Sequence, residues 1–380
     1  MTKRIKIIFF IDSLKIGGMH KQILYIVKHL NKDVFEPVMC TQIPIGGLRE
    51  DFEKVGCKLF DLGWKRKYDL STISRLIKIL DQERPDIIFI TEPQPLFYYQ
   101  IARLFWHRKV VQIGSFRALT FWKGHLKKYY RLIDNIFSRW LYYSSECVVV
   151  NSLAMKDNYS QKIKINPTNP LRVIYNGSDF DFPITRSTME IRKELKIGIN
   201  EIMIIMVARL DPWKDYDTLL ESAKIIIEFN RTVKLFLIGN GMLKKRLEQK
   251  IIQMKLQKNV FLIGEKKDIY NYINTADISV LSTNGEGFSN SILESMALCK
   301  PVIATDVGSN NELLGISGES GFIITPKSPK IFADKIVELI NDKNKRHKMG
   351  ELAKIRIHKI CDIKNYITSY QDLFLESMKQ

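Results

Sequence analysis

Cysteine is scarce in this sequence, and the spacing of the cysteines is not that of a disulfide framework or a thiolate metal site. The 380 residues include five cysteines, an odd number, and no two of them form a CxxC pair. This pattern argues against a disulfide framework and against a metal site made of thiolates. We therefore expect reduced thiols in a cytosolic protein. The five positions are Cys40, Cys57, Cys147, Cys299 and Cys361.

Long hydrophobic runs are also missing. No stretch of 18 or more apolar residues occurs, so the sequence predicts no transmembrane helix. The amino terminus is basic and then apolar, like a secretory signal, but Lys6 interrupts the apolar run and Asp12 and Lys15 follow it. Because no small-residue cleavage site is evident, we interpret this segment as a first β-strand and expect a cytoplasmic protein.

Acidic residues are in deficit, mainly in the first half of the chain. The net charge is +18, from 59 Lys and Arg against 41 Asp and Glu. Residues 1–175 hold 29 basic and 15 acidic residues, a net +14, whereas 176–380 hold 30 and 26, a net +4. Such a field attracts nucleic acid, phospholipid headgroups or a phosphorylated substrate. No nucleic-acid-binding motif accompanies the charge, so nucleic acid is not an expected partner.

Short apolar runs rich in β-branched residues alternate with amphipathic segments through both halves. Runs of this kind are typical of parallel strands buried on both faces, and the alternation implies an α/β fold with right-handed crossovers. The predicted strands are 5–11, 37–41, 86–91, 110–113, 147–151 and 172–175, then 202–208, 233–238, 260–263, 278–282, 301–305 and 321–324.

The pattern restarts near residue 200, after the turn signal Asn176-Gly177. This restart predicts two Rossmann-like domains with parallel sheets, over 1–180 and 181–360. Residues 361–380 form a predicted helix that packs back on the first domain. Ligands of open parallel sheets bind beyond the carboxyl ends of the strands, so we expect function in the loops that follow the strands.

The strongest local motif is the segment Gly285–Ala297, which follows one predicted strand and opens a helix. Its glycines let the backbone approach a ligand closely, and its Ser289-Asn290 pair is a good helix cap with N–H groups suited to phosphate. Glu286 and Glu294 can both reach one extended ligand, and a carboxylate accepts hydrogen bonds from paired sugar hydroxyls.

Two shorter motifs also follow predicted strands. Arg209 and Lys214 lie five residues apart after the strand 202–208, where they can grip a diphosphate and offset the charge of a leaving group. Gly17 and Gly18 follow the first strand and permit a tight turn near a phosphate or sugar. For Arg209 and Lys214, a solvated basic loop is the alternative interpretation. The Gly17-Gly18 pair is weak evidence for a ligand site by itself.

Taken together, these segments resemble the retaining glycosyltransferases of the GT-B fold, glycosyltransferase family 4. The resemblance covers nearly the whole chain and is most specific over 203–324. It is carried by the two glutamates separated by seven residues, the Arg and Lys pair and the double glycine, and by further matching pieces at Asn176-Gly177, 301–305, Gly308 and Glu312.

The resemblance implies transfer of a sugar from a nucleotide-sugar, with UDP weakly favoured, to an envelope or surface-polysaccharide acceptor that can be lipid-linked. It implies retention of anomeric configuration, no metal and no cofactor. Glu286 would act in catalysis, Arg209 and Lys214 would hold the diphosphate, and Glu294 would bind the ribose. The expected donor-binding residues are Gly17, Gly18, Arg209, Lys214, Gly287, Phe288, Ser289, Asn290, Ser291 and Glu294.

One departure from the family pattern leaves a catalytic position open. Many members carry a histidine after the strand that matches 110–113, and this chain reads Ile113-Gly114-Ser115-Phe116-Arg117 there. Arg117 is one candidate replacement, in contact with acceptor or phosphate. His20, just after the double glycine, is the other, with a plain helix-surface residue as the alternative reading.

Other functions remain as alternatives. A GT-B-fold epimerase is the nearest other enzyme, although the match extends through both the Arg and Lys pair and the two glutamates. A non-catalytic sugar-binding or nucleic-acid-binding protein belongs to a different class, and the intact donor motifs argue against it.

The segment Phe116–Tyr143 predicts a peripheral contact with the inner face of an anionic membrane. It holds nine aromatic residues and six Lys or Arg against one acid, Asp134. Mixed aromatic and basic helices favour the headgroup layer, and a lipid-linked acceptor would lie there. A helix packed by its aromatics, with lysines on the wet side, is the other interpretation.

A sedimentation assay tests this membrane contact. We expect the purified protein to pellet with anionic liposomes and to be released as salt rises, because screening weakens attraction to charged lipid. Neutral liposomes are the control. Equal recovery in the supernatant with and without anionic lipid contradicts the prediction.

Overall fold

The computed structural model describes residues 3–15, 17–43, 46–64, 69–118 and 128–379, with the backbone alone at 128–131. Contacts between residues divide the chain into two units. Unit 1 consists of Met1–Ser178 together with Ile363–Gln380, and unit 2 of Asp179–Asp362. The last helix of the chain therefore belongs to unit 1.

Unit 1 is an alternation of strands and helices closed by that last helix. Its strands are β1 Ile5–Ile11, β2 Phe35–Thr41, β3 Lys58–Asp61, β4 Ile87–Ile90, β5 Val111–Phe116, β6 Cys147–Val150 and β7 Arg172–Val173. Its helices are α1 Gly18–His29, α2 Arg49–Lys54, α3 Ser71–Glu83, α4 Pro93–Arg103, α5 Lys128–Ser144, α6 Leu153–Lys162 and α15 Ile363–Ser377.

The unit 1 sheet is parallel throughout and is buried on both faces. Its strand order is β3-β2-β1-β4-β5-β6-β7. Successive side chains of a strand point to opposite faces, so Phe10 and Cys40 join one core cluster while Phe9 and Met39 join the other. The apolar runs of the sequence reflect this double burial.

Helix α15 completes the second of these cores with aromatic side chains. The Phe374 ring lies 6.0 Å from Phe35 and 6.3 Å from both Phe9 and Phe89, measured between ring centroids. Tyr370 packs beside it, 5.8 Å away. Aromatic side chains bury large areas, so the carboxyl-terminal segment is part of the core of unit 1.

Unit 2 repeats the alternation. Its strands are β8 Ile202–Val207, β9 Val233–Ile238, β10 Val260–Gly264, β11 Ile278–Leu281, β12 Val302–Thr305 and β13 Gly321–Ile324. Its helices are α7 Thr188–Glu194, α8 Tyr216–Phe229, α9 Lys244–Gln253, α10 Ile269–Thr275, α11 Asn290–Ala297, α12 Asn310–Leu314, α13 Pro329–Asn341 and α14 Lys343–Ile360.

The unit 2 sheet is also parallel, with strand order β10-β9-β8-β11-β12-β13. Two helices that start after the strands at the centre of this sheet have side-chain caps. Asp215 accepts a hydrogen bond from Thr218 N at 3.2 Å before α8, and Ser289 accepts one from Ile292 N at 3.3 Å before α11. Each cap satisfies one backbone donor of the first turn and fixes where the preceding loop ends.

The α/β class predicted from the sequence is confirmed, and each predicted strand overlaps a strand of the structure. The sequence interpretation missed β3, a four-residue edge strand whose side chains are half-buried or exposed. Among the helices of the described residues, none is both long enough and apolar enough to cross a bilayer.

The segment predicted to face a membrane lies partly outside the described residues, at 119–127. Of its aromatic residues that are described, Phe116 and Tyr142 are buried, and Phe137 and Trp140 pack against the core. These four side chains contribute to folding rather than to an outer face, so the aromatic count overstated that face. Tyr143 is exposed.

A core substitution in α15 tests whether this helix stabilises unit 1. Phe374→Ala removes a fully buried ring, and we expect the free energy of unfolding to fall by about 3–5 kcal/mol. Leu375→Ala on the same helix is the control, because Leu375 is exposed. Chemical denaturation measures both. Equal losses for the two variants would show that α15 is not part of the core.

Candidate active site

Two loops of unit 2 meet at the centre of its sheet. Strands β8 and β11 are neighbours, and the chain proceeds from β8 to one side of the sheet and from β11 to the other. This reversal is a topological switch point, where the loops after adjacent strands diverge and leave a crevice. Arg209 and Lys214 follow β8, while Glu286 follows β11.

Backbone hydrogen bonds fix the two loops against each other. Asn284 N donates to Trp213 O at 2.8 Å, and Asp215 N donates to Ser282 O at 3.1 Å. The Ser282 hydroxyl returns a hydrogen bond to Asp215 O at 2.8 Å. Residues 67 and 71 positions apart in sequence are thereby held next to each other, so the two motifs lie side by side.

An ion pair joins the two motifs across this edge. The Lys214 ammonium donates to Glu286 Oε2, and the two side chains are 14% and 18% exposed. Partial burial reduces solvent screening, so this contact is stronger than a surface pair. The sequence predicted both residues for one pocket, and the structure brings them into direct contact.

Arg209 lies at the same strand end but is much more exposed. Its side chain is 65% exposed, and its Nε is 3.9 Å from Asp211 Oδ2, near the limit for an ion pair. The guanidinium is thus accessible to an anionic ligand at the carboxyl end of β8. A guanidinium in this position can bind phosphate through a two-pronged contact.

Gly308 holds the backbone of Glu286 in place. The residue has φ +55°, and a Cβ built on it would lie 1.6 Å from the carbonyl oxygen of Glu286. Only glycine fits this close approach without displacing the neighbouring loop. The loop after β12 therefore packs directly against the loop after β11, at the carbonyl group of Glu286.

The second glutamate of the motif has a tyrosine partner. Glu294 is half-buried in α11, and Tyr270 donates its hydroxyl hydrogen to Glu294 Oε1 at 3.4 Å. Tyr270 in turn stacks on Phe182, with ring centroids 4.5 Å apart. The sequence interpretation missed Tyr270, which carries no motif of its own. In sequence, α11 begins at Asn290, between the two glutamates. The first turn of a helix carries the positive end of the helix dipole.

The remaining predicted donor-binding residues of this motif line the start of α11. Phe288 and Ser289 are buried, and Ser289 caps the helix. Gly287 is buried as well, and Asn290 and Ser291 are half-buried. These residues are the last of the loop after β11 and the first of α11.

In unit 1, Gly17 precedes α1 and Gly18 is its first residue. A Cβ on Gly17 would lie 3.2 Å from His20 Nδ1, so the glycine leaves room for the imidazole. His20 Nε2 lies 3.3 Å from Asp12 Oδ1. Glu92 Oε2 accepts a hydrogen bond from Asp12 N at 2.8 Å. The three side chains form a cluster that the sequence interpretation missed, since it considered His20 alone.

The Asp12–Glu92 carboxyl groups influence each other strongly. Burial and the adjacent Asp12 charge raise the pKa of Glu92 well above its usual range. For Asp12, burial alone would raise the pKa, but hydrogen bonds with His20, Glu92 and Ser13 outweigh it and lower the pKa. Both residues directly follow strands that the sequence predicts, 5–11 and 86–91, and that position was the signal available in the sequence.

Arg117 is held by three partners within unit 1. Its Nε donates to Ser115 Oγ at 2.9 Å, its Nη1 donates to Asn176 Oδ1 at 3.1 Å, and its Nη2 donates to the Tyr370 hydroxyl. These bonds join β5 to α15. In the structure the guanidinium therefore has a clear role in packing, and a catalytic role for it stays a prediction.

Comparison with protein-family models matches both halves of the chain. Residues 16–182 match the model described as glycosyltransferase family 4, and residues 187–356 match the model of glycosyl transferases group 1. The chain belongs to glycosyltransferase family 4. It is a glycosyltransferase, and its two units of parallel sheet are those of the GT-B fold.

Relatives of this family 4 glycosyltransferase include a protein named as a capsular polysaccharide biosynthesis glycosyltransferase, CapM of Staphylococcus aureus. It is 28% identical over 295 residues, which cover 76% of each chain. An Escherichia coli UDP-Gal:alpha-D-GlcNAc-diphosphoundecaprenol alpha-1,3-galactosyltransferase is 30% identical over 196 residues, covering 50% of this chain and 49% of the relative.

Solved structures share the fold across the whole family 4 chain. Anabaena Alr3699/HepE in complex with UDP-glucose superposes with a TM-score of 0.82 at 21% identity, covering 98% of this chain and 100% of that one. The sucrose-phosphate synthase of Thermosynechococcus elongatus gives 0.80 at 15% identity, with 98% and 99% covered. At these identities the likeness concerns the fold.

Substitution of Gly308 tests how the Glu286 loop is held. Gly308→Ala places a side chain at positive φ, which costs about 1–2 kcal/mol, and also forces the Glu286 carbonyl to move. We expect lower stability in chemical denaturation and faster amide hydrogen exchange across 283–291.

The control for that experiment is Gly318→Ala. Gly318 also has a positive φ, +101°, but the nearest atom to its Cβ would be Phe322 Cε1 at 3.7 Å. It should lose stability from backbone strain alone and leave exchange at 283–291 unchanged. Unchanged exchange in both variants would mean that Gly308 does not support the loop.

Proposed function

We propose that this glycosyltransferase moves a sugar from a nucleotide-sugar to a surface-polysaccharide acceptor, with retention of anomeric configuration. Unit 2 binds the donor and unit 1 the acceptor. The observation that carries the proposal is the half-buried Lys214–Glu286 pair at the switch point of the unit 2 sheet. It puts a cation and a carboxylate together at the edge where parallel sheets bind ligands.

The cations at this edge suit a diphosphate. Arg209 offers an exposed guanidinium, and Lys214 offers an ammonium on a flexible stem. As the bond to the sugar breaks, negative charge grows on the departing diphosphate, and fixed positive charge stabilises it. The carboxylate of Glu286 holds Lys214 in the loop until phosphate oxygens compete for the ammonium. This step draws its charge compensation from the chain itself.

The two glutamates suit the hydroxyl groups of the donor. Glu294 binds the ribose hydroxyls, oriented by the hydrogen bond from Tyr270. Glu286 and the backbone of 287–290 position the transferred sugar next to the diphosphate. A carboxylate accepts hydrogen bonds from two neighbouring hydroxyls, so each glutamate can fix one sugar ring. UDP is the expected nucleotide, in keeping with the UDP and UDP-glucose complexes of HepE.

The acceptor class follows from the relatives and from charge. CapM is named for capsular polysaccharide, and the Escherichia coli and Campylobacter jejuni relatives are named for diphosphoundecaprenol-linked sugars. A lipid-linked diphosphate is anionic, and residues 1–175 carry a net charge of +14. We infer a lipid-linked saccharide acceptor that unit 1 reaches at a membrane surface through the exposed part of 116–143.

Nucleotide-induced stabilisation tests the donor site. A ligand present at 100 times its dissociation constant stabilises the folded state by about 2.7 kcal/mol, so UDP should raise the melting temperature. Glu294→Ala should reduce UDP affinity by about 10- to 100-fold, since a hydrogen bond to a charged group contributes about 1.5–3 kcal/mol. Calorimetric titration with UDP measures this loss.

Two comparisons complete the experiment. Glu248→Ala, an exposed acid of α9, should bind UDP like the unmodified protein. GDP and ADP test the choice of nucleotide, and a panel of nucleotide-sugars tests turnover. Unchanged melting with UDP, GDP and ADP contradicts the proposed donor site.

A further inference from the structure

We infer that Phe182 is a positioning residue for the donor site, acting through Tyr270 on the carboxylate of Glu294. Phe182 belongs to the linker segment 179–187, which begins where the chain passes from unit 1 to unit 2 and ends at the cap of α7. The inference rests on the proposed role of Glu294 in binding the ribose hydroxyls. It adds that the linker segment sets how strongly the site prefers a ribonucleotide to a 2′-deoxyribonucleotide.

Glu294 needs support because its side chain is long and flexible. A glutamate holds two neighbouring hydroxyls only when its carboxylate is fixed in one orientation, and the side chains around it provide that constraint. Tyr270 is one such partner, with its hydroxyl 3.4 Å from Glu294 Oε1. This distance is close to the upper limit for a hydrogen bond. A small displacement of the tyrosine ring breaks the contact, so a residue that fixes the ring also helps to fix the carboxylate.

Phe182 fixes the ring of Tyr270 by stacking on it. The ring centroids are 4.5 Å apart and the ring planes are inclined by 25°. Both side chains are half-buried, and stacking at this separation is a favourable geometry for an aromatic pair. Tyr270 lies in the first turn of α10, so the stack joins the linker segment to that helix.

Hydrogen bonds also anchor the linker segment to α10. Asn271 is 1% exposed, and its Oδ1 accepts hydrogen bonds from the backbone N of Thr185 at 2.9 Å and of Arg186 at 3.1 Å. Its Nδ2 donates to Thr185 Oγ1 at 3.1 Å. These bonds satisfy a buried amide and hold the linker segment in one register along α10, which keeps Phe182 opposite Tyr270.

Phe180 fixes Phe182 from the preceding side. Phe182 N donates to Phe180 O at 3.0 Å, and the two rings meet edge to face at 6.4 Å. Phe180 has a φ of +56°, a costly conformation for a bulky residue that persists only where the surroundings impose it. One contact that imposes it is a stack on His358, with ring centroids 3.8 Å apart and ring planes inclined by 12°.

The four rings form a continuous row from the ends of unit 2 to the donor site. Their order is His358, Phe180, Phe182 and Tyr270. Phe180 is the second residue of unit 2, and His358 lies four residues before the last, Asp362. The row thereby ties the carboxylate that binds ribose to both segments through which the chain enters and leaves unit 2.

Binding of a nucleotide and of its 2′-deoxy form separates positioning from folding. Calorimetric titration of the full-length protein gives the dissociation constants of UDP and 2′-deoxy-UDP, or of the GDP or ADP pair if one of these binds more tightly. The deoxy form lacks a hydrogen bond to a charged group, so we expect it to bind about 10-fold more weakly. The ratio of the two constants reports ribose recognition, because damage to the fold weakens both nucleotides equally.

Variants of the row test the role of Phe182. Phe182→Ala should lower this ratio at least about threefold, and Tyr270→Phe, which keeps the ring and loses the hydroxyl, should do the same. The double variant should lower it no further than Tyr270→Phe alone, because both changes act on one carboxylate. Phe182→Tyr keeps the stack and should retain the ratio. Ile184→Ala is the matched control, since Ile184 is an exposed residue of the same segment.

Two results would overturn the inference. If Phe182→Ala weakens both nucleotides equally and leaves the ratio unchanged, Phe182 serves folding alone and the proposed function stands. If the unmodified protein binds the nucleotide but does not distinguish it from the 2′-deoxy form, the ribose role of Glu294 fails and the inference fails with it.

Discussion

All strands of each sheet run in the same direction, so every loop that follows a strand lies at one edge. This constraint governs the site of unit 2, where the loops after β8, β11 and β12 meet. Hydrogen bonds between 213–215 and 282–284 hold two of these loops together. The close contact of Gly308 with the Glu286 carbonyl fixes the third loop against them. The Lys214–Glu286 pair depends on this support, because the two residues come from separate crossovers.

The same constraint gives unit 1 its own cluster of ionisable side chains. Asp12 and Glu92 follow adjacent central strands, β1 and β4, as the Lys214 and Glu286 loops follow β8 and β11. The two switch points differ in charge balance. In unit 2 a lysine pairs with the carboxylate of Glu286. In unit 1, Asp12 pairs with His20, and Glu92 accepts a hydrogen bond from the Asp12 backbone.

Several residues have the side-chain chemistry for the role that the sequence suggested, but the sequence could not show which residues surround them. Arg117 has the charge to replace a catalytic histidine, yet its guanidinium donates hydrogen bonds to Ser115, Asn176 and Tyr370. Tyr370 lies 253 residues away in sequence, so no local pattern could reveal this contact. The aromatic residues of 116–143 likewise suggest a membrane face, but Phe116 and Tyr142 are buried in the core.

The sequence by itself determined the α/β class, the strands with continuous apolar runs and the family, because double burial and ligand-binding loops impose local patterns. It did not predict β3, whose short edge segment is only partly buried. Only the tertiary structure decided which polar side chains meet: Lys214 with Glu286, Tyr270 with Glu294, and Asp12 with His20 and Glu92. Such pairings depend on strand order, and strand order arises from contacts between residues far apart in the chain.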